Sequence, residues 1–239
     1  FLAFIKDEVM TYIDGNYNSS GRNILFGHSA MGLVTMVVIA NHISMFDQYI
    51  ASSSAVDHTD TELFSQLEQL FTQQKFINKS IYFSVGEKAR EIKGFTDGTI
   101  YMSKLFAEKA PKTLTWDYAI MPGQNHGTAP YLAMFQGLSS VFSDYEAPAL
   151  TSYKAFEKIG GMQGLSEFFA KRGDKYMGNT KVPQQIIVSL AYTFMRDGNL
   201  DHAIALLREN SQKYSNPMNI FGALGFIYEQ MKQKSQALQ

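Results

Sequence analysis

Apolar positions along the first 142 residues switch repeatedly between two spacings. Segments 1–14 ("FLAFIKDEVMTYID"), 31–41, 61–74, 97–109 and 129–142 repeat their apolar residues every three or four positions, the signature of one-sided helices. Between them lie short apolar runs, "NILFGH", "QYIASSS", "SIYFSVG" and "TLTWDYAIM", which read as strands. Strands separated by helices of about a dozen residues need crossover connections, and these give a largely parallel sheet. The expected class is α/β.

After "SDYEAPALTS" (143–152) the strand signals stop and the chain reads as helix. The stretch "LAYTFMRDGNLDHAIALL" returns 34 residues later as "LGFIYEQMKQKSQALQ", with Leu190 on Leu224, Ala191 on Gly225, Phe194 on Tyr228, Ala203 on Ala237 and Ile187 on Phe221. This period and pattern resemble the tetratricopeptide repeat, in which small residues let paired helices approach and an aromatic fills the gap. The expected organisation is an α/β domain over 1–147, a helical linker over 148–182 and an incomplete helical-repeat region over 183–239. One repeat and part of a second fall short of the three or so that bury their own face.

Composition narrows the function classes. The 239 residues are 45% hydrophobic, enough for a sizeable core, and the net charge is −1. Residues 1–147 carry 10 basic against 15 acidic side chains and 148–239 carry 11 against 7, so neither part has a nucleic-acid footprint. With no cysteine, disulfides, thiolate metal sites and a cysteine nucleophile are ruled out, while the compartment stays open between periplasm and cytoplasm. The apolar run "MGLVTMVVIA" is about half of what a membrane span needs, and no span is expected. No phosphate-binding glycine loop occurs, and "HTDTE" (58–62) reads as a helix cap, not a metal site; no cofactor or metal is expected.

Candidate chemistry centres on Ser29. In "NILFGHSAMG" a strand runs into Gly27-His28-Ser29-Ala30-Met31-Gly32 and at once into a helix. That is the context of a nucleophile elbow, a sharp turn that lifts a serine oxygen above the sheet. The usual spelling is G-x-S-x-G; here Met31 holds the last position and glycine follows one residue later. A serine needs a base. Of five histidines, His28 lies inside the elbow, His42 and His58 end or follow helical segments, and His202 falls in the repeat region. His126 lies in "IMPGQNHGTAP", a loop after the last strand and before the last helix of the α/β part, where the base of a Ser–acid–His order belongs. The acid should follow "SIYFSVG": Glu91 is preferred for its freedom to reach the imidazole, Glu87 is the alternative, and Asp97 is expected to cap the next helix.

Five blocks, "FLAFIKDEVMTYID", "LFGHSAMGL", "FDQYIASSSA", "IYFSVGEKARE" and "MPGQNHGTAPYLAMFQGL", run in the order of the putative-esterase family of α/β-hydrolases, which holds esterase D and the enterochelin esterases. The chain resembles that family over about residues 1–142. The resemblance implies the C-terminal half of an α/β-hydrolase sheet and a serine esterase acting on a small-molecule ester, a siderophore lactone among the options, with a lean towards the periplasm. It implies Ser29 as nucleophile, His126 as base, Glu91 or Glu87 as orienting acid, and the Ala30 N–H as one oxyanion donor. In that topology the elbow follows the fifth strand, so earlier strands and a second donor are expected upstream of Phe1. A second reading makes the hydrolase domain catalytically silent, with the helical repeats binding a protein partner. Acyl transfer and thioester hydrolysis would use the same three side chains.

Overall fold

In the computed structural model, which describes residues 1–176 and 178–231, the chain divides into two compact units, Phe1–Asp144 and Tyr145–Gln239. The first unit is built on four parallel strands, β1 (Ile24–His28), β2 (Gln48–Ser52), β3 (Ser80–Gly86) and β4 (Thr115–Met121), ordered in space as in sequence. One row of the register runs Ile24, Gln48, Ser80, Thr115, so the four C-terminal ends share one edge. Strands arise at all four places the apolar runs indicate. Three are shorter than expected: β1 starts at Ile24, one residue into its run, β2 stops at Ser52 because Ser53 turns to φ 42°, and β4 starts at Thr115 because Leu114 closes a turn onto the Pro111 carbonyl.

Helices cover both faces. The chain opens with α1 (Leu2–Phe4), a π-helical stretch (Ile5–Met10) and α2 (Thr11–Asn16). On one face α3 (Ala30–His42), α4 (Thr61–Gln73) and α5 (Phe95–Lys109) enclose Met36, Ile39, Leu67, Phe71, Met102 and Phe106. Alternation along the strands sends Tyr49, Ala51, Ile81 and Phe83 into that cluster, and Ile50 and Tyr82 to the other face under α6 (Ala129–Val141). α6 approaches closely because it turns Ala129, Ala133, Gly137 and Val141 inward; a Cβ on Gly137 would stand 2.6 Å from Ile50 Cγ2. β2 and β3 are buried throughout, as inner parallel strands should be, while Tyr118 and Ile120 of β4 are partly exposed. Asp60 caps α4, accepting from the Leu63 N–H at 3.4 Å. Asp97, expected as a cap, lies instead in the first turn of α5 and pairs with Lys88; the residue preceding that helix is Gly94 at φ 94°.

The second unit is helical: α7 (Tyr153–Lys158), α8 (Gly161–Tyr176), α9 (Gln184–Arg196), α10 (Leu200–Ser211) and α11 (Met218–Gln230). Its boundary at Tyr145 falls slightly before the expected 147. Within the segment expected as a helical linker, 148–182, Phe156, Leu165, Phe169 and Val182 share a single buried cluster with Ile187, Leu190, Phe194, Leu207 and Ile227. Its apolar spacing signalled helices, but spacing alone cannot tell a bridging helix from one that packs. Ala237, paired with Ala203 in the repeat, lies outside the described residues.

Candidate active site

The turn between β1 and α3 places Ser29 at φ 58°, ψ −122°, a backbone state that only a tightly held residue adopts. Three hydrogen bonds hold it. The Ser29 N–H donates to the Ser52 carbonyl at 3.0 Å, and the Ser29 carbonyl accepts from Leu33 at 3.1 Å and Ala55 at 3.0 Å. Glycine is needed where backbones touch: a Cβ on Gly32 would stand 2.8 Å from Ser54 Oγ. The Met31 side chain is 43% exposed, so the missing glycine of the usual motif costs no space. Ala30 opens α3, where an N–H has no intrahelical acceptor and is available to a ligand oxygen.

His126 lies in the loop between β4 and α6. Asn125 shapes this loop, its Oδ1 accepting from the N–H groups of Gly127 (2.9 Å) and Thr128 (3.0 Å). From the β3 side Glu87 anchors it, accepting from the Gly123 N–H at 2.8 Å and donating its own N–H to the Gln124 carbonyl at 2.9 Å. So placed, His126 Nε2 is 3.0 Å from Ser29 Oγ and its Nδ1 is 2.7 Å from Glu91 Oε1.

Glu91 has a solvent-inaccessible side chain and four donors. Oε2 accepts from Ser53 Oγ at 2.6 Å and the Gly86 N–H at 3.0 Å; Oε1 accepts from the Ile92 N–H at 2.9 Å and from His126. Burial opposes its charge, but the hydrogen bonds from Ser53, Ile92, Gly86 and His126 outweigh that and hold its pKa below the ordinary glutamate value. An ionised carboxylate only accepts, so Nδ1 carries the imidazole proton and Nε2 is left as acceptor for the Ser29 hydroxyl. The arrangement can move a proton from Ser29 to His126 while Glu91 steadies the ring.

Of the two glutamates raised by the sequence, Glu91 is within reach of the imidazole, while the Glu87 carboxylate faces Gly123 and Arg90. Sequence reasoning missed Ser53, whose run of three serines at a strand end was the only signal. It also gave no role to His28, whose ring centroid is 4.6 Å from that of His126, or to Phe95, whose ring meets the His126 ring edge-on at 5.7 Å. Among the described residues no group of three or more metal-ligating side chains is assembled, and no helix is long and apolar enough to cross a membrane.

Comparison with solved structures gives likenesses of fold. An IroE-like serine hydrolase from Shewanella oneidensis aligns at TM-score 0.62 and 16% identity, covering 100% of this chain and 64% of its own. An uncharacterised protein from Capnocytophaga ochracea aligns at 0.67 and 16%, covering 100% and 66%. The siderophore hydrolase EstB from Aspergillus nidulans aligns at 0.51 and 20%, covering 62% and 58%. This chain therefore spans just under two thirds of the first of these relatives. No curated protein matches it. The family described as "Putative esterase" matches residues 1–129, more than half of the sequence, and the chain belongs to that family.

Proposed function

We propose that the chain is a serine hydrolase that cleaves carboxylic esters through an acyl-enzyme. The observation that carries this reading is the unbroken hydrogen-bonded line from Ser29 Oγ through His126 to Glu91 Oε1. Ser29 Oγ attacks the ester carbonyl carbon as its proton passes to His126 Nε2, and the carbonyl π electrons move onto oxygen. The Ala30 N–H, at the positive end of α3, donates to that oxyanion. Collapse breaks the carbon–oxygen bond, and His126 returns the proton to the leaving alcohol. Water, deprotonated by His126, then attacks the acyl-serine, releasing the acid and restoring the Ser29 hydroxyl. Membership of the esterase family supports the reaction class, and the relative described as a siderophore hydrolase makes a lactone-type or small acyl ester the substrate class to try first.

The test is hydrolysis of p-nitrophenyl acetate and butyrate by the chain beside its Ser29→Ala variant, with fluorophosphonate labelling of both. A fall of about 10⁶ in turnover and loss of label in the variant is expected. Equal rates and equal labelling would overturn the reading.

A second reading concerns residues 183–231. α9 and α11 begin at 184 and 218 and end at 196 and 230, so each bound recurs after 34 residues. Leu190 and Leu224 are both buried, as are Phe194 and Tyr228, whereas Ile187 is buried and Phe221 is exposed. This spacing supports a tetratricopeptide-like arrangement. A cleft of about 500 Å³ lined by Val188 and Tyr192 of α9 and Met218 and Gly222 of α11 is where a protein partner would lie. If Ser29 takes no label in the folded chain, this scaffold reading replaces the catalytic one.

A further inference from the structure

The imidazole of His126 has to span a distance that its own strand does not cover. β4, which leads into the His126 loop, and β1, which leads into Ser29, lie at opposite ends of the strand order with β2 and β3 between them. The loop must therefore arch back over the sheet edge. The anchors named so far lie on the β3 side, where Glu87 and Glu91 both follow β3, or inside the loop, where Asn125 acts. His28 supplies an anchor from β1. Its Nε2 is 2.9 Å from the His126 backbone oxygen. A carbonyl only accepts, so Nε2 carries the proton and donates. The two rings lie 4.6 Å apart between centroids, tilted by 39°, so the same side chain meets both the backbone and the ring of His126.

We propose that His28 is a positioning residue, whose Nε2–H tethers the His126 carbonyl to β1 and so keeps the imidazole within hydrogen-bond range of Ser29. The inference rests on the serine-hydrolase reading. It explains why a polar ring stands beside the nucleophile at the end of β1, where packing alone would be served by an apolar side chain. The tether asks His28 to stay neutral, since a second cation beside the imidazolium formed during acylation would oppose proton transfer. Burial, and then the nearby His126, lower its pKa and favour that neutral form. The contribution should appear in kcat and hardly in KM, because the Ser29-to-His126 transfer strengthens in the transition state.

The test compares His28→Gln with His28→Met in the full chain, using p-nitrophenyl butyrate kinetics and a thermal melt. Glutamine places an N–H donor near the position of Nε2, whereas methionine has the same length and no donor. His28→Met should lose ~10–100-fold in kcat, the scale of an ångström-sized misplacement, at little-changed KM, and His28→Gln should stay within about threefold of wild type. Equal kcat in the two folded variants would overturn the proposal. If His28→Met does not fold, His28→Ala takes its place as the donor-free variant, judged by the same comparison. Ser29→Ala separates the two levels of failure: if it keeps the wild-type rate, the hydrolase reading falls, and if it is inactive while the Gln and Met variants match, only the tether falls.

Discussion

Gly27 and Met31 meet backbone to backbone across the turn that carries Ser29. A Cβ on Gly27 would stand 2.1 Å from the Met31 carbonyl oxygen and 2.3 Å from Thr35 Oγ1. Thr35 Oγ1 donates to that same carbonyl at 2.9 Å, so neither atom is free to give way. Gly27→Ala should destabilise the first unit by about 1–3 kcal/mol or more, as overpacking against a fixed backbone does. Met31→Gly, at an exposed side chain, should leave esterase turnover within severalfold. Denaturant midpoints for both variants, with rates alongside, check this; a Gly27→Ala protein as stable as wild type would contradict it.

The two glutamates after β3 should separate by function. Glu91→Ala removes the partner of His126 Nδ1, and by analogy with other acid–base–nucleophile sets should cost about 10⁴ in kcat. Glu87→Ala removes a contact to the Gly123 N–H and should cost less than about tenfold, consistent with one partly exposed hydrogen bond. Steady-state rates of the two variants decide it, and comparable losses would reassign the acid.

Acid should weaken the fold through Glu91. Its carboxyl has a lower pKa in the folded chain than in the unfolded one, so its ionised form contributes stability that is fully present above the unfolded value, about 4.3, and drains away as pH falls through the lower folded value. A Glu91→Gln variant cannot follow that titration. The gap in melting temperature between wild type and variant should therefore be widest towards neutral pH and narrow as pH drops below about 4.3. A gap independent of pH between 7 and 3 would refute the assignment of this charge.

Much of this arrangement is legible in the sequence for a simple reason. Apolar runs bounded by glycine and serine mark buried parallel strands, and a serine at a strand-to-helix junction with a histidine after the last strand leaves few other folds to consider. What stays illegible depends on tertiary approach. The loop position of Glu91 in "GEKAREIKG" favours it over Glu87, but the partners that hold its carboxylate, the Ser53 hydroxyl and the Gly86 N–H, come from two different strand ends and are not legible there. The role of Met31 was equally hidden, since whether position 31 needs glycine depends on the direction its side chain takes. That Phe156 and Phe169 share one buried cluster with residues of α9, α10 and α11 is equally invisible to helical spacing.

A sheet whose spatial order repeats its chain order has its newest strand at the rim. β4 is that rim strand, half-open to solvent, and the imidazole hangs from the loop that follows it, whereas Ser29 and Glu91 follow strands nearer the start. Detaching that single outer strand would withdraw the base and leave nucleophile and acid standing on an intact three-stranded remainder. If that strand releases first on warming, the hydrolysis proposed for Ser29 should fade while most of the helical signal persists, and cooling that lets the strand re-dock should restore it.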